Sequence, residues 1–247
     1  MAVCFVAVGE LLVDVVAAGA GHGARIRVRP AGSAFNAAVA AVAAGAEATA
    51  IGTVGDDAPG RMIVRELEAR GVVAEVRVAD GPTGTFLLAE GQVRVDRGVG
   101  HELALPERLA ADAVLVSGYV PAAAEALARA EADWIALDAA RLDELPAGGN
   151  AVIANEDTAR RLTGLEPEDA VRALSEHREL ACVTLGARGA IAVMAERVDR
   201  AVPTVRATDG PGSGDVFAAT LLVALAQGDG LAAALARATE AAVDSLA

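Results

Sequence analysis

Thr208-Asp209-Gly210-Pro211-Gly212-Ser213-Gly214-Asp215 runs directly into the apolar stretch VFAATLLVALAQG. A glycine-dense loop feeding a strong helix leaves backbone N–H groups unpaired at the positive end of the helix dipole. Such an end takes anions, and the missing side chains let phosphate oxygens reach the backbone. Asp215 then falls in the first helical turn, beside the anion site. A carboxylate that merely neighbours phosphate is costly, whereas one that accepts a proton from an attacking hydroxyl has a reason to be there. The residue pattern also fits a simple first-turn acid, and by itself it leaves both readings open. A dinucleotide fingerprint fits poorly, because the loop lies near the C-terminus and no acid follows at the right remove on a second strand.

All 21 basic residues are arginine; the chain has no lysine. A lysine-bearing phosphate loop and Schiff-base chemistry are therefore excluded. With 34 acidic residues the formal charge is −13, which argues against a nucleic-acid or anionic-membrane partner. The N-terminal MAVCFVAVGELLVDVV lacks a basic leader and is broken by Glu10 and Asp14. No apolar run approaches the roughly 18–20 residues of a membrane span, so a soluble, cytoplasmic protein is expected. The two cysteines, Cys4 and Cys182, sit in apolar runs and read as buried, reduced thiols on strands. A chain of 247 residues buries enough core to fold without disulfide or metal staples.

The elements that must position these groups alternate. Strands are expected at 3–8, 49–54, 113–116, 134–137, 152–154, 181–185 and 190–194, from short apolar runs. Helical spacing marks 58–70, 121–132, 157–162, 167–177, 213–227 and 231–246. A small-residue helix spans 33–44, with Ser33 as its N-cap and Gly45 as its stop. Strand–helix alternation implies a mostly parallel sheet covered on both faces. ARIRVR (24–29) and a hairpin at 83–96, turning at Glu90-Gly91, alternate polar with apolar and suggest a small separate sheet. Ordinary edge strands of the main sheet are the competing reading. The economical organisation is one domain over 1–247 with a β appendage at about 17–30 and 81–98.

DGPGSGD resembles the DTxGAGD signature of the ribokinase-like (PfkB-type) carbohydrate kinases, and further segments match in the same order. VAVGELLVD resembles the family's first strand with its following sugar-binding acid, and PAGSAFNAA its Gly-Gly-x-x-x-Asn-x-Ala segment. IGTVGDDAPGRMIVRELEARGV resembles the Gly-x-Asp-x-x-Gly unit, ANEDTARRLTG the Asn-x-x-Glu region, and VTLGARGA the nucleotide strand. The resemblance implies an α/β three-layer sandwich with a mostly parallel central sheet and a small β lid. It implies an ATP-dependent kinase acting on a hydroxyl of a small sugar or sugar acid, with Mg²⁺. Asp14, Gly32, Ser33 and Asn36 would line the sugar pocket. Gly212, Ser213 and Gly214 would form the anion hole around the transferred phosphoryl group, with Asp215 as base. Asn155 would lie near the phosphates and Mg²⁺, and Thr184, Gly186 and Gly189 on the nucleotide side. Arg97 would reach an anionic group on substrate or ATP, against a competing reading as solvated surface.

The chain departs from the pattern at several points. Ala31 replaces the first glycine of the usual pair, and Pro211 and Ser213 stand inside the signature. Gly100 stands where many relatives carry asparagine. Thr158 takes the place of the Asn-x-x-Glu carboxylate, leaving Glu156 or Asp157 to substitute in handling Mg²⁺. The resemblance also allows K⁺ activation, for which no residue argues directly, and a homodimer through an apolar lid face at Phe86, Leu87 and Leu88. Two rival readings share the same parts: a nucleoside kinase of the same superfamily, and a non-catalytic sugar- or nucleotide-binding relative. One Trp, one Tyr and four Phe offer little stacking surface for a base, which favours the sugar.

Overall fold

Short runs such as FVAV and AVLV place every residue against apolar neighbours, which suits strands covered on both faces. In the computed structural model, which describes residues 2–19, 21–139, 142–204 and 212–245, they do so. Strand β1 (Cys4–Val8) opens the main sheet, and β2 (Leu12–Ala18) pairs antiparallel with β3 (Arg25–Ala31) outside it. Helix α1 (Ser33–Ala43), β4 (Glu47–Gly55), α2 (Ala58–Ala69) and β5 (Val73–Ala79) follow. Next come the hairpin β6 (Thr83–Ala89) and β7 (Gln92–Gly98), then the two-residue β8 (Leu109–Ala110) and β9 (Ala113–Ser117). Helix α3 (Ala123–Arg129), the two-residue β10 (Ala130–Glu131), β11 (Trp134–Asp138) and β12 (Ala151–Asn155) continue the chain. Helices α4 (Glu156–Thr163) and α5 (Pro167–Ser175) lead to β13 (Leu180–Thr184), β14 (Ala190–Met194) and β15 (Arg197–Ala201). Helices α6 (Ser213–Ala226) and α7 (Leu231–Asp244) close it.

The nine strands of the main sheet run β15-β14-β13-β12-β11-β9-β1-β4-β5. From β13 to β5 every pairing is parallel; β14 and β15 add an antiparallel edge. Phe5 and Ala7 of β1 pack on the same side as α1, α2, α6 and α7, while Val6 and Val8 pack on the side of α3. The second face continues under α4 and α5 through Val152, Ala154, Ala181 and Val183. This is a three-layer α/β sandwich. Helix α6 is buried continuously from Phe217 to Leu225, as a helix apolar all round must be. The alanines of α1 let the two helices approach closely beneath the site.

The small sheet is separate, ordered β3-β2-β6-β7. Its hairpin turns where expected, with Glu90 at φ 51° and Gly91 at φ 73°, the doubly left-handed geometry that matches strand twist. The sheet begins at Leu12, earlier than the alternation of ARIRVR indicates, because the apolar LLVDVV run pairs with β3 and β6. Strands β2, β5 and β15 were not among the sequence expectations. Helix α3 is shorter than 121–132, because Ala130 and Glu131 leave the helix to pair with β8. The apolar triplet of β6 is split: Phe86 faces inward with Asp14 and Val95, and pleating sends Leu87 to the other side.

Two local expectations are corrected. Ser33 is not the N-cap of α1; Gly32 holds that place at φ 108°. Ser33 is already helical, and its Oγ instead accepts the N–H of Glu10 at 3.1 Å. Cys4 is exposed rather than buried, since it begins β1 at the rim of the sheet, whereas Cys182 is buried. Among the described residues, no helix is long and apolar enough to cross a membrane.

A hydrogen-bonded clamp at the start of α2 ties the small sheet to the main one. Asp57 caps α2, accepting the Gly60 N–H at 2.8 Å, and also accepts the N–H and hydroxyl of Thr83 at 2.8 and 2.5 Å. Thr83 Oγ1 in turn accepts the Gly55 N–H at 2.9 Å, so the end of β4, the start of α2 and the start of β6 meet on one carboxylate. Burial works to raise the Asp57 carboxyl, but these hydrogen bonds and the charge of Arg61 hold it below the usual range. A depressed folded-state pKa means that this stabilisation is present above the unfolded carboxylate range and is lost as pH falls through the folded value. Asp57→Ala should cost about 1–2 kcal/mol by chemical denaturation at pH 7. The difference from wild type should shrink as the pH is taken below 4.

Candidate active site

Helix α6 opens on a glycine N-cap, Gly212 at φ 90°, which makes no side-chain cap hydrogen bond. A Cβ on Gly212 would stand 2.8 Å from Asn36 Nδ2, so the chain passes α1 here only as glycine. The earlier part of the signature, Thr208–Pro211, lies outside the described residues. Asn36, one turn into α1, donates its Nδ2–H to Asp215 Oδ2 at 2.8 Å. Asp215 sits partly buried in the first turn of α6.

Two clefts meet at this point. The larger, about 730 Å³, lies between the inward face of the small sheet and the main sheet, and takes in Asp14, Gly32, Ser33, Asn36, Arg97 and Asp215. The other, about 420 Å³, takes in Asn155, Thr184, Gly186, Gly189 and Ser213. Asn155, Thr184 and Gly214 line both. All thirteen residues singled out in the sequence, Gly212 included, thus fall on one continuous opening. The reason is topological: β11, β12 and β13 end at Asp138, Asn155 and Thr184, and the carboxyl ends of parallel strands form the crevice in such sheets.

The larger cleft is dominated by carboxylates held in different ways. Asp14 Oδ2 accepts Nε and a terminal N–H of Arg29 at 3.1 and 3.0 Å. Glu10 accepts Arg97 Nε at 2.5 Å, and the Arg97 guanidinium lies 5.7 Å from the Tyr119 ring centroid. Burial raises both carboxyls, and their arginines pull in the opposite direction. Among the described residues, no arginine pairs with Asp215. Burial pushes its pKa up to about 8, Asp138 adds like-charge repulsion, the Asn36 hydrogen bond opposes both, and Glu10 and Asp14 raise it further.

Sequence reasoning missed Glu10, Tyr119 and Asp138 in the larger cleft and Phe217 and Thr239 in the smaller. Asp138 and Glu10 carried a usable signal: each is an acid ending or just following a buried apolar strand. Phe217 and Thr239 carried none, since each sits within ordinary helical spacing.

Residues 5–245 match the family described as pfkB family carbohydrate kinase. The chain belongs to that family. It is an ATP-dependent carbohydrate kinase, transferring phosphoryl to an alcohol group. A 2-dehydro-3-deoxygluconokinase from Thermoproteus tenax is 32% identical over 233 residues, covering 76% of this chain and 71% of that protein. Among solved structures, Arabidopsis thaliana ribokinase complexed with ribose and ATP aligns with a TM-score of 0.81 at 22% identity, covering 100% of this chain and 93% of that one. An adenosine kinase from Sinorhizobium meliloti also aligns with a TM-score of 0.81 at 20% identity, covering 98% and 93%. These likenesses place the kinase in the ribokinase-like fold.

A raised Asp215 pKa means the folded kinase holds a proton that the unfolded chain releases between the usual carboxylate range and about pH 8. Stability therefore falls as pH rises through that window. Asp215→Asn removes this cost while keeping an acceptor for Asn36. Its melting temperature should exceed that of wild type by several degrees at pH 8.5 and match it at pH 5, read by thermal denaturation.

Proposed function

We propose that this kinase phosphorylates a sugar acid bound in the larger cleft, with ATP in the smaller and Asp215 as the base. The observation that carries the proposal is Asp215 itself: a carboxylate paired with no arginine among the described residues, where the two clefts meet, in the first turn of a helix that opens on glycine. The substrate hydroxyl gives its proton to Asp215 as its oxygen attacks the γ-phosphorus, and the bond to the bridging oxygen of ADP breaks. The amides opening α6 face the charge that develops on the transferred phosphoryl oxygens. Asn36 fixes the carboxylate for this transfer, and positioning with charge stabilisation supplies most of the acceleration.

The acid specificity rests on Arg97. Its Nε is committed to Glu10 and its face to Tyr119, which leaves the terminal N–H groups for a carboxylate on the sugar. The T. tenax relative, a 2-dehydro-3-deoxygluconokinase and so a kinase of a sugar acid, supports this reading. Asp14, Gly32, Ser33 and Asn36 serve the hydroxyl-bearing part of the substrate. We assign the small sheet as a lid over it, and place a homodimer contact on its outer face, where Ile26 and Val28 are exposed. A nucleoside is disfavoured because Tyr119, an aromatic ring of this cleft, is already covered by Arg97.

The nucleotide side fits Mg²⁺ held chiefly by phosphates. Thr158 is buried with its N–H given to Asn155 Oδ1 at 2.8 Å, and Glu156 is engaged by Arg188 and Arg160. Asp157, exposed at the cleft, is the carboxylate we assign to the ion, an arrangement typical of Mg²⁺. When bound, Mg²⁺ supplies charge neutralisation across the phosphates. We assign no residue to K⁺.

Asp215→Asn should lower kcat by 100-fold or more with little change in ATP affinity, measured by ADP release and nucleotide titration. The wild-type kcat/KM should fall with decreasing pH below about 8, because the base must be ionised. Across a panel of sugar acids, neutral sugars and nucleosides, sugar acids should show the highest kcat/KM. Arg97→Gln should raise KM for them at least tenfold while sparing KM for ATP. Preference for a nucleoside or neutral sugar overturns the substrate class, and undiminished turnover by Asp215→Asn removes the base.

A further inference from the structure

The main sheet ends in β15 on one side and β5 on the other, and the two edges differ. On β15 the charged side chains are satisfied within the chain, Arg197 by Asp199 and Arg200 by Glu168. On β5, Glu75 has no ionic partner among the described residues. Arg77 holds Glu102 loosely, 3.3 Å from its carbonyl and 3.9 Å from its carboxylate. Val73 and Val78 of the same strand are each 58% exposed.

Strand β5 pairs with β4 along its whole length, and that register decides which groups face outward. The Ala79 carbonyl accepts the Asp56 N–H just beyond β4, so the backbone groups of Val73, Glu75, Arg77 and Ala79 point inward. Those of Ala74, Val76 and Val78 point away from the sheet. The side chains alternate too: Ala74 and Val76 pack on the face covered by α2, with Val78 beside them. Glu75 and Arg77 share the opposite face.

A row of like charge on an open edge repels a second copy of itself. Strand β5 instead carries one charge of each sign, two residues apart. Laid antiparallel on itself about a two-fold axis at Val76, it sets Glu75 opposite Arg77 of the second copy, twice over. The outward groups of Ala74, Val76 and Val78 then meet those of Val78, Val76 and Ala74 in hydrogen-bonded pairs. Moving the axis by one residue sets Glu75 against itself or Arg77 against itself. We propose that β5 is a self-recognition edge, through which a second copy of this kinase continues the main sheet in an isologous dimer. The contact is separate from the one placed on the outer face of the small sheet, where Ile26 and Val28 lie on β3.

Sedimentation equilibrium tests it on a chain carrying Val28→Asp, which removes the contact on the small sheet. That chain should still dimerise. Adding Glu75→Arg or Arg77→Glu sets like charges face to face at both symmetric positions and should raise the dimer Kd about tenfold or more. Both changes together exchange the signs and should restore the dimer. An equimolar mixture of the two singly charge-changed chains should also dimerise, which no loss of folding could produce. A Val28→Asp chain that stays monomeric overturns the proposal, as does a dimer indifferent to either charge change. A doubly charge-changed chain as weak as the single ones overturns the register and the proposal with it.

Discussion

The hydrogen bond from Asn36 to Asp215 joins residues 179 apart in sequence, and the site is arranged around it. It requires α1 and α6 to lie side by side, which their alanine-rich faces permit. It requires Gly212 to lack a side chain, because Asn36 fills that space. It also holds a carboxylate at the mouth of a helix whose N-cap is a glycine without a capping side chain. A buried acid in this position is electrostatically expensive, and a single amide donor offsets only part of that cost. The fold tolerates the expense because its core is large and distributed over both faces of a nine-stranded sheet.

The larger cleft shows how like charges are kept apart in purpose. Glu10 and Asp14 are each paired with an arginine from an outer strand of the small sheet, so their charge is largely spent locally. Asp215 and Asp138 come from the main sheet and its covering helix. Burial raises Glu10, Asp14 and Asp215 alike, but arginines oppose the rise at the first two and only the Asn36 amide opposes it at the third, the condition that favours a base there. The small sheet lines the cleft and carries the arginines that pair with two of its acids.

Much of this was legible in the sequence. Alternating apolar runs and helical spacing are local properties, and they marked most of the parallel strands and helices. The glycine-dense entry to α6, with Asp215 in its first turn, was readable from residue types alone. The ordered motifs then indicated the family, and the thirteen residues they singled out lie on one opening. Strands β2, β5 and β15 were less legible, because short edge or lid strands carry charged residues and depend on their neighbours for pairing. Ser33 was misread as a cap because its partner is Glu10, 23 residues away, and not its own helix.

What the sequence determined by itself was therefore the alternation of elements, the bare loop before α6 and the chemical types available to the site. What only the tertiary structure decided was pairing: Arg97 with Glu10, Arg29 with Asp14, and Asn36 with Asp215. The physical reason is that charge state, orientation and burial belong to contacts across the fold. The carboxylates of the larger cleft look alike in one dimension and acquire their differences only when strands and helices distant in the chain close around them.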